Sequence, residues 1–330
     1  MPLTSKLHGN TDTSAASEKR QWEQAVKLSQ LRDVLAVAET GSLRAAGRHL
    51  NIAQPAITRS IREIEQELGA TLFERHAKGV RLTEIGGAFV ARAHAVQAEL
   101  SRARDEVNQL KGRLSGKVSL ALSTASSMAL WPKALAEFRK RYPDAVLKIS
   151  ETFFAPVERE LLNGRTDFYV GPFEAKSTAN TFIVETLFQN QRRVVARRGH
   201  PLLRATSFAE LADAKWLRPA TAERTTEGDF EDSLVELGLG DPQIVVQSRS
   251  ALITMLTVAN SDLLTVVPQQ WLDLPTTAAL VEALDLPPFR AAPICIVRRP
   301  DMPLTPMAEY LCDMMRRAGV HYAHRAGAPV

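Results

Sequence analysis

Gln54, Thr58, Arg59 and Arg62 stand close enough together to read a nucleic-acid duplex. Gln and Arg hydrogen-bond base edges bidentately, Thr bonds a base or touches a thymine methyl, and Arg also neutralises phosphate. Pro55 and Ala56 sit between them, and Arg44 precedes them. A second group has different chemistry. Ser123, Thr124, Ser126, Phe154, Pro172, Thr221, Arg224, Ser248 and Pro268 all follow short apolar runs or precede helical ones. Hydroxyls and a guanidinium near helix N-termini suit a carboxylate or another small anion. Phe153 and Phe154 add a flat apolar wall. Any single Ser or Thr also fits ordinary helix capping; the gathering of several carries the reading.

The elements around the first group follow from spacing. Ile57, Ile61, Ile64 and Leu68 step by four, three and four, so on a helix they line one face and leave the polar set on the other. Ser42 caps a preceding short helix whose apolar side is Ala45, Ala46 and Leu50. Asn51 ends it, and Gln54-Pro55 opens the next where a first turn tolerates proline. A short helix crossing a second with polar residues near its N-terminus is helix-turn-helix geometry, although a plain helical hairpin has the same spacing. Leu28, Leu31, Leu35 and Ala38 predict a helix packed behind the pair. Two β-type runs, 72–75 and 80–83, flank Ala77-Lys78-Gly79 as a hairpin wing, with Arg75, Lys78 and Arg81 placed to grip phosphate near a minor groove.

From Thr83 the pattern lengthens. Phe89, Ala93, Val96, Leu100, Ala103, Val107 and Leu110 form a heptad stripe over three repeats. So narrow a seam wants a partner helix, in a second copy or on the chain's own later domain. GRLSG at 112–116 breaks the helix as a hinge. Beyond it, apolar runs at 118–122, 146–149, 168–170, 193–196, 244–247, 263–267 and 294–297 alternate with helical stretches at 129–141, 157–163, 208–212, 227–236, 251–259 and 307–317. That alternation predicts parallel sheets wrapped by helices, with ligands outside the carboxyl ends of strands.

Composition narrows the classes. The chain has 330 residues, an apolar fraction of 45% and a net charge of +4. Two or three domains are expected at that length. Residues 26–83 hold nine Lys or Arg against six acids, a local excess compatible with nucleic acid. No apolar run reaches bilayer length and the first 25 residues show no secretory pattern, so a cytoplasmic chain off the membrane is expected. Cys295 and Cys312 give neither a disulfide framework nor metal spacing and read as buried thiols. There is no GxSxG, P-loop or HExxH, and the seven histidines are scattered. No enzyme, metal or cofactor is expected.

The string GSLRAAGRHLNIAQPAITRSIREIEQELGATLFER, followed by LTEIG, resembles the DNA-binding domain of the LysR-type transcriptional regulators. The resemblance is dense over 28–86 and weaker to about Arg317. It implies an α plus α/β chain: a leader at 1–26, a winged helix-turn-helix at 27–83, and a dimerising linker helix at 84–112. A two-subdomain effector domain like a periplasmic binding protein would follow at 117–318, with a loose tail at 319–330. By that likeness the first subdomain is 117–190 plus 291–318, and the second is 191–290. Bases would be selected near Gln54, Pro55, Thr58 and Arg59. Ser42, Arg62, Arg75, Lys78 and Arg81 would hold the backbone, and Arg44, Ala56 and Gly79 also belong to the DNA-binding set. Asp167, after Gly164-Arg165, matches a family signature and is expected to orient a turn. The implied partners are double-stranded promoter DNA on the nucleoid, a second copy in a homodimer or homotetramer, RNA polymerase, and a small organic acid. Residues 123–127, 261–264 and 298–301 look similar to members that govern aromatic-compound breakdown, which points to an aromatic carboxylate or sulfonate. A solute-binding component and an enzyme with an appended regulatory domain are the competing readings.

Overall fold

A computed structural model of the chain describes residues 26–77, 79–174, 181–219 and 242–326. Residues 1–25 of the leader expected at 1–26, Lys78, the expected helix at 227–236 and residues 327–330 lie outside them. The chain divides into two units, Met1–Gln97 and Ala98–Val330.

In the first unit, α1 (Leu28–Thr40), α2 (Leu43–Leu50) and α3 (Gln54–Leu68) enclose a core of Val34, Val37, Ala46, Ile57, Ile61 and Ile64. The core follows the helical stripe of isoleucines, but Leu68, placed on the same stripe, is left 39% exposed. Ser42 caps α2 by accepting from the Ala45 N–H at 3.3 Å. Asn51 ends α2 in the left-handed region (φ 55), which Asn tolerates better than most residues. The wing is an antiparallel pair, β1 (Phe73–His76) and β2 (Gly79–Leu82), with Phe73 opposite Leu82. It is held to α1: the Val80 N–H donates to the Gly41 carbonyl at 2.9 Å. A Cβ on Gly79 would lie 2.4 Å from that same oxygen, so only glycine fits. Glu65 of α3 accepts from the N–H groups of Leu72 and Phe73 at 2.7 and 3.1 Å, fixing the wing to the helix. Thr83 then accepts from the Gly86 N–H at 2.9 Å as α4 (Glu84–Leu110) begins.

In the second unit, β3 (Lys117–Leu122) lies between parallel neighbours β4 (Val146–Glu151) and β5 (Phe168–Pro172). β5 continues antiparallel to β11 (Phe289–Arg298), and β11 to the 15-residue β6 (Ile183–Arg197). The far half of β6 carries β9 (Thr265–Pro268) and β10 (Val281–Ala283), both antiparallel. β7 (Lys215–Pro219) and β8 (Gln243–Ser248) form a parallel pair, joined to Leu264 through Trp216. Parallel pairing, expected throughout, is thus confined among the described residues to β4-β3-β5, β7-β8 and the bridge from Trp216 to Leu264. The joining strands are antiparallel because the chain runs out along β6 and returns along β11.

The helices of this unit are α5 (Thr124–Ala129), α6 (Trp131–Arg141), α7 (Phe154–Leu162), α8 (Ala251–Ala259), α9 (Gln270–Asp273), α10 (Pro275–Ala278) and α11 (Pro306–Ala326). The cores change along β6. Before the crossing, Phe138, Phe168, Phe188, Ile296 and Met315 pack together; after it, Val194, Trp216 and Leu264 do. The loose tail expected from residue 319 is corrected by the structure. α11 runs on to Ala326, because Leu311, Met315, Ala318 and Tyr322 continue one buried stripe.

The second half of α4 is fixed to this unit by Arg102. Its Nε and Nη2 donate to Asp167 Oδ1 at 3.0 Å each, and Nη2 also donates to the Gly164 carbonyl at 2.9 Å. Asp167 Oδ2 accepts from the Ser119 N–H at 2.8 Å. Burial pushes the Asp167 carboxyl above the usual carboxylate range, while Arg102 and the Ser119 N–H pull against that shift.

Candidate nucleic-acid interface and ligand cleft

On α3 the buried isoleucines turn the polar set outward. Gln54, Pro55, Ala56, Arg59 and Arg62 are exposed and Thr58 is half-buried. The Thr58 hydroxyl donates to the Gln54 carbonyl at 3.1 Å, which leaves its lone pairs free to accept. Arg59 has an 82% exposed side chain, and its Nε donates to Glu63 Oε1 at 2.7 Å. Arg44 on α2, Arg75 on β1 and Arg81 on β2 are exposed as well. Ser42 is engaged as the α2 cap, and Gly79 makes the close approach to Gly41. Lys78 lies outside the described residues. The sequence reading missed Glu65, whose carboxylate aims the wing; a Glu in a charged helix gives no local sign of a partner seven residues on.

The heptad stripe on α4 divides. Phe89 packs against the core of the first unit and Ala93 is buried. Val96, Val107 and Leu110 stay exposed, Leu110 at 74%. The upper end of the seam therefore closes its own unit, and the lower end remains apolar and uncovered.

In the second unit Ser123 ends β3 and caps α5, accepting from the Ser126 N–H at 3.2 Å. The two hydroxyls lie 3.0 Å apart, both buried. Gly171-Pro172 ends the neighbouring parallel strand, and a Cβ on Gly171 would sit 2.9 Å from Ser123 Cβ. Ser123, Ser126 and Pro172 are thus brought together. Thr124 donates to Glu151 Oε1 at 2.6 Å at the end of β4. Phe154 makes edge contacts with Tyr169, Phe173 and Phe182, so its ring belongs to an aromatic cluster. Ser248, opposite Pro219 at the end of β8, donates to the Ser250 carbonyl at 3.1 Å and accepts from its N–H at 3.2 Å. Pro268 ends β9 opposite Arg192 of β6. Thr221 and Arg224 lie outside the described residues.

The sequence reading missed the element that joins the two halves. α5 packs on α9, and Met128 of α5 shares an apolar cluster with Val267 and Trp271. The Trp271 Nε1 and Gln270 Oε1 atoms are buried with no partner among the described residues, and buried polar atoms of that kind call for one. Both thiols are free and buried. Burial pushes Cys312 up to about 12, and Cys295 is raised for the same reason, so both are protonated at neutral pH. Among the described residues no three His, Cys, Asp or Glu gather to hold a metal ion, and no helix is long and apolar enough to cross a membrane.

Residues 28–87 match the family described as "Bacterial regulatory helix-turn-helix protein, lysR family", and residues 111–319 match "LysR substrate binding domain". The chain is 28% identical over 312 residues to the HTH-type transcriptional regulator GbpR of Azospirillum brasilense, covering 91% of this chain and 89% of that protein. Its fold is similar to a full-length OxyR variant from Pseudomonas aeruginosa, with a TM-score of 0.64 at 22% identity over 90% of this chain and 99% of the other. It is similar also to full-length CbnR complexed with target DNA, with a TM-score of 0.63 at 20% identity over 88% and 99%.

Proposed function

Because the chain belongs to the LysR family and is a DNA-binding transcriptional regulator with a ligand-binding domain, not an enzyme, we propose how its own residues divide that work. α3 enters the major groove of promoter DNA. Gln54, Pro55, Ala56, Thr58 and Arg59 select bases, while Ser42, Arg44, Arg62, Arg75, Lys78, Gly79 and Arg81 hold the backbone. The outward display of Gln54, Arg59 and Arg62 over a core of three isoleucines carries this reading. CbnR, a fold neighbour, is described in complex with its target DNA, which is in keeping with it.

The chain acts as a homodimer or homotetramer on near-palindromic sites in the cytoplasm, on the nucleoid, and touches RNA polymerase there. The uncovered lower seam of α4, with Val96, Val107 and Leu110, supports pairing with a second copy. A further exposed apolar face, Leu252, Ile253 and Leu256 on α8, supports a second contact between copies.

The regulating ligand is a small organic acid, an aromatic carboxylate or sulfonate, held near Ser123, Thr124, Ser126, Pro172, Ser248 and Pro268, with Thr221 and Arg224 as further candidate contacts. The buried Ser123–Ser126 pair at the carboxyl ends of parallel strands supports an acidic ligand. A thermal-shift screen of the full chain across aromatic and aliphatic acids tests this. A rise in the melting midpoint with aromatic acids is expected; a shift only with amino acids or sugars overturns it. Gel-shift titration on the adjoining promoter, with Arg59→Ala beside the unaltered chain, tests the DNA assignment.

A further inference from the structure

The last turns of α11 reach across to the second half of the ligand unit through one side chain. Tyr322 is buried, 4% exposed, and its ring lies 4.7 Å from that of Phe188 on β6. Its hydroxyl donates to Asp273 Oδ2 at the end of α9. Asp273 Oδ1 accepts from Gln269 Nε2 at 3.1 Å. The Gln269 N–H in turn donates to the Gln191 carbonyl at 2.9 Å, where β6 crosses between the two cores. A continuous polar chain therefore runs from α11 through Tyr322, Asp273 and Gln269 to the crossing strand.

Two more observations bear on what this chain holds in place. α9 packs on α5, whose Met128 meets Trp271 two residues from Ser126. Tyr322 also lies beyond residue 319, where the match to the family's ligand-binding domain ends. We propose that Tyr322 is a positioning residue for the ligand cleft: its hydrogen bond to Asp273 sets where α9, and through it α5, stands against the crossing strands. The link to the ligand rests on the cleft assignment above; the strap itself does not.

The experiment is hydrogen exchange on the full chain without added ligand, so a failure of the organic-acid assignment leaves it readable. Tyr322→Phe keeps the ring on Phe188 and removes only the hydroxyl. Amides of residues 269–273 and 191 are expected to exchange faster by roughly tenfold or more, the factor that a hydrogen bond to a charged acceptor supplies. Asp273→Asn retains an oxygen acceptor, so exchange at the same amides should fall between the unaltered chain and Tyr322→Phe. Val320→Ala, on an exposed position of the same helix, should change nothing there. Unchanged exchange at 269–273 in Tyr322→Phe overturns the proposal. A uniform rise across residues 98–326 also overturns it, because it would show general loosening in place of a local strap.

Discussion

The two units solve opposite problems with polar side chains. On α3 the groups assigned to DNA stand on the outside of a helix whose other face is fully packed, and Arg59 shares only an exposed Glu63. In the ligand unit the candidate hydroxyls among the described residues already have partners: Ser123 with Ser126, Thr124 with Glu151, Ser248 with Ser250. A duplex therefore meets a finished display. A small ligand must exchange internal hydrogen bonds for its own, so its binding is a rearrangement from the start.

The largest effect that would test this contrast lies at Arg102. Arg102→Ala leaves Asp167 buried without its cation and should lower the stability of the second unit by about 3–5 kcal/mol. In a denaturant titration that transition should move while the transition of the first unit stays; a shared shift would show that the units are not independently held. Next come the contacts of the display. Arg59→Ala should weaken specific DNA binding by about 1–3 kcal/mol and relax preference at one base position. Arg81→Ala should weaken all sequences alike and reduce the salt slope by about 1. Competition gel shifts at several salt concentrations separate the two, and equal behaviour of the two variants would erase the division into reading and holding. Ser42→Ala should cost about 1 kcal/mol through loss of the α2 cap, measured by thermal melting. The smallest effect is expected at Cys312. With its thiol raised to about 12, iodoacetamide should leave it unlabelled at pH 7 to 9 in the folded chain. The thiolate appears only as the pH nears that value or the unit unfolds, and prompt labelling at pH 8 would contradict the packing around α11.

The first unit was legible because its code is local. Ile57, Ile61 and Ile64 announce a helix face, Ser42 a cap and the 77–79 stretch a turn, all within a few residues of the groups that they position. The second unit was legible in its short strands and less so where distant pairings decide. β6 was read only at 193–196, because Gln189, Asn190 and Gln191 look like a break; in the structure they are the crossing, where strand backbone continues and polar side chains are tolerated. β7 was missed since Lys215 and Pro219 hide a strand whose partners, β8 and Leu264, lie far along the chain. Residues 319–326 looked like a polar tail, yet Tyr322 at the right helical step buries itself against Phe188. No spacing rule links Tyr322 to Asp273, or Arg102 to Asp167, because each pair meets only once the sheet has formed.

The ribbon of β6 and β11 has a mechanical consequence. Two antiparallel strands resist stretching, since elongation would break their ladder bonds, but they yield to winding, for which strands have a built-in right-handed bias. The irregular register between Ala291 and Ile294 adds a local site of extra coil. Relative twist of the two halves would have to be taken up in this ribbon, and the α5–α9 contact and the Tyr322–Asp273 bond stand against it.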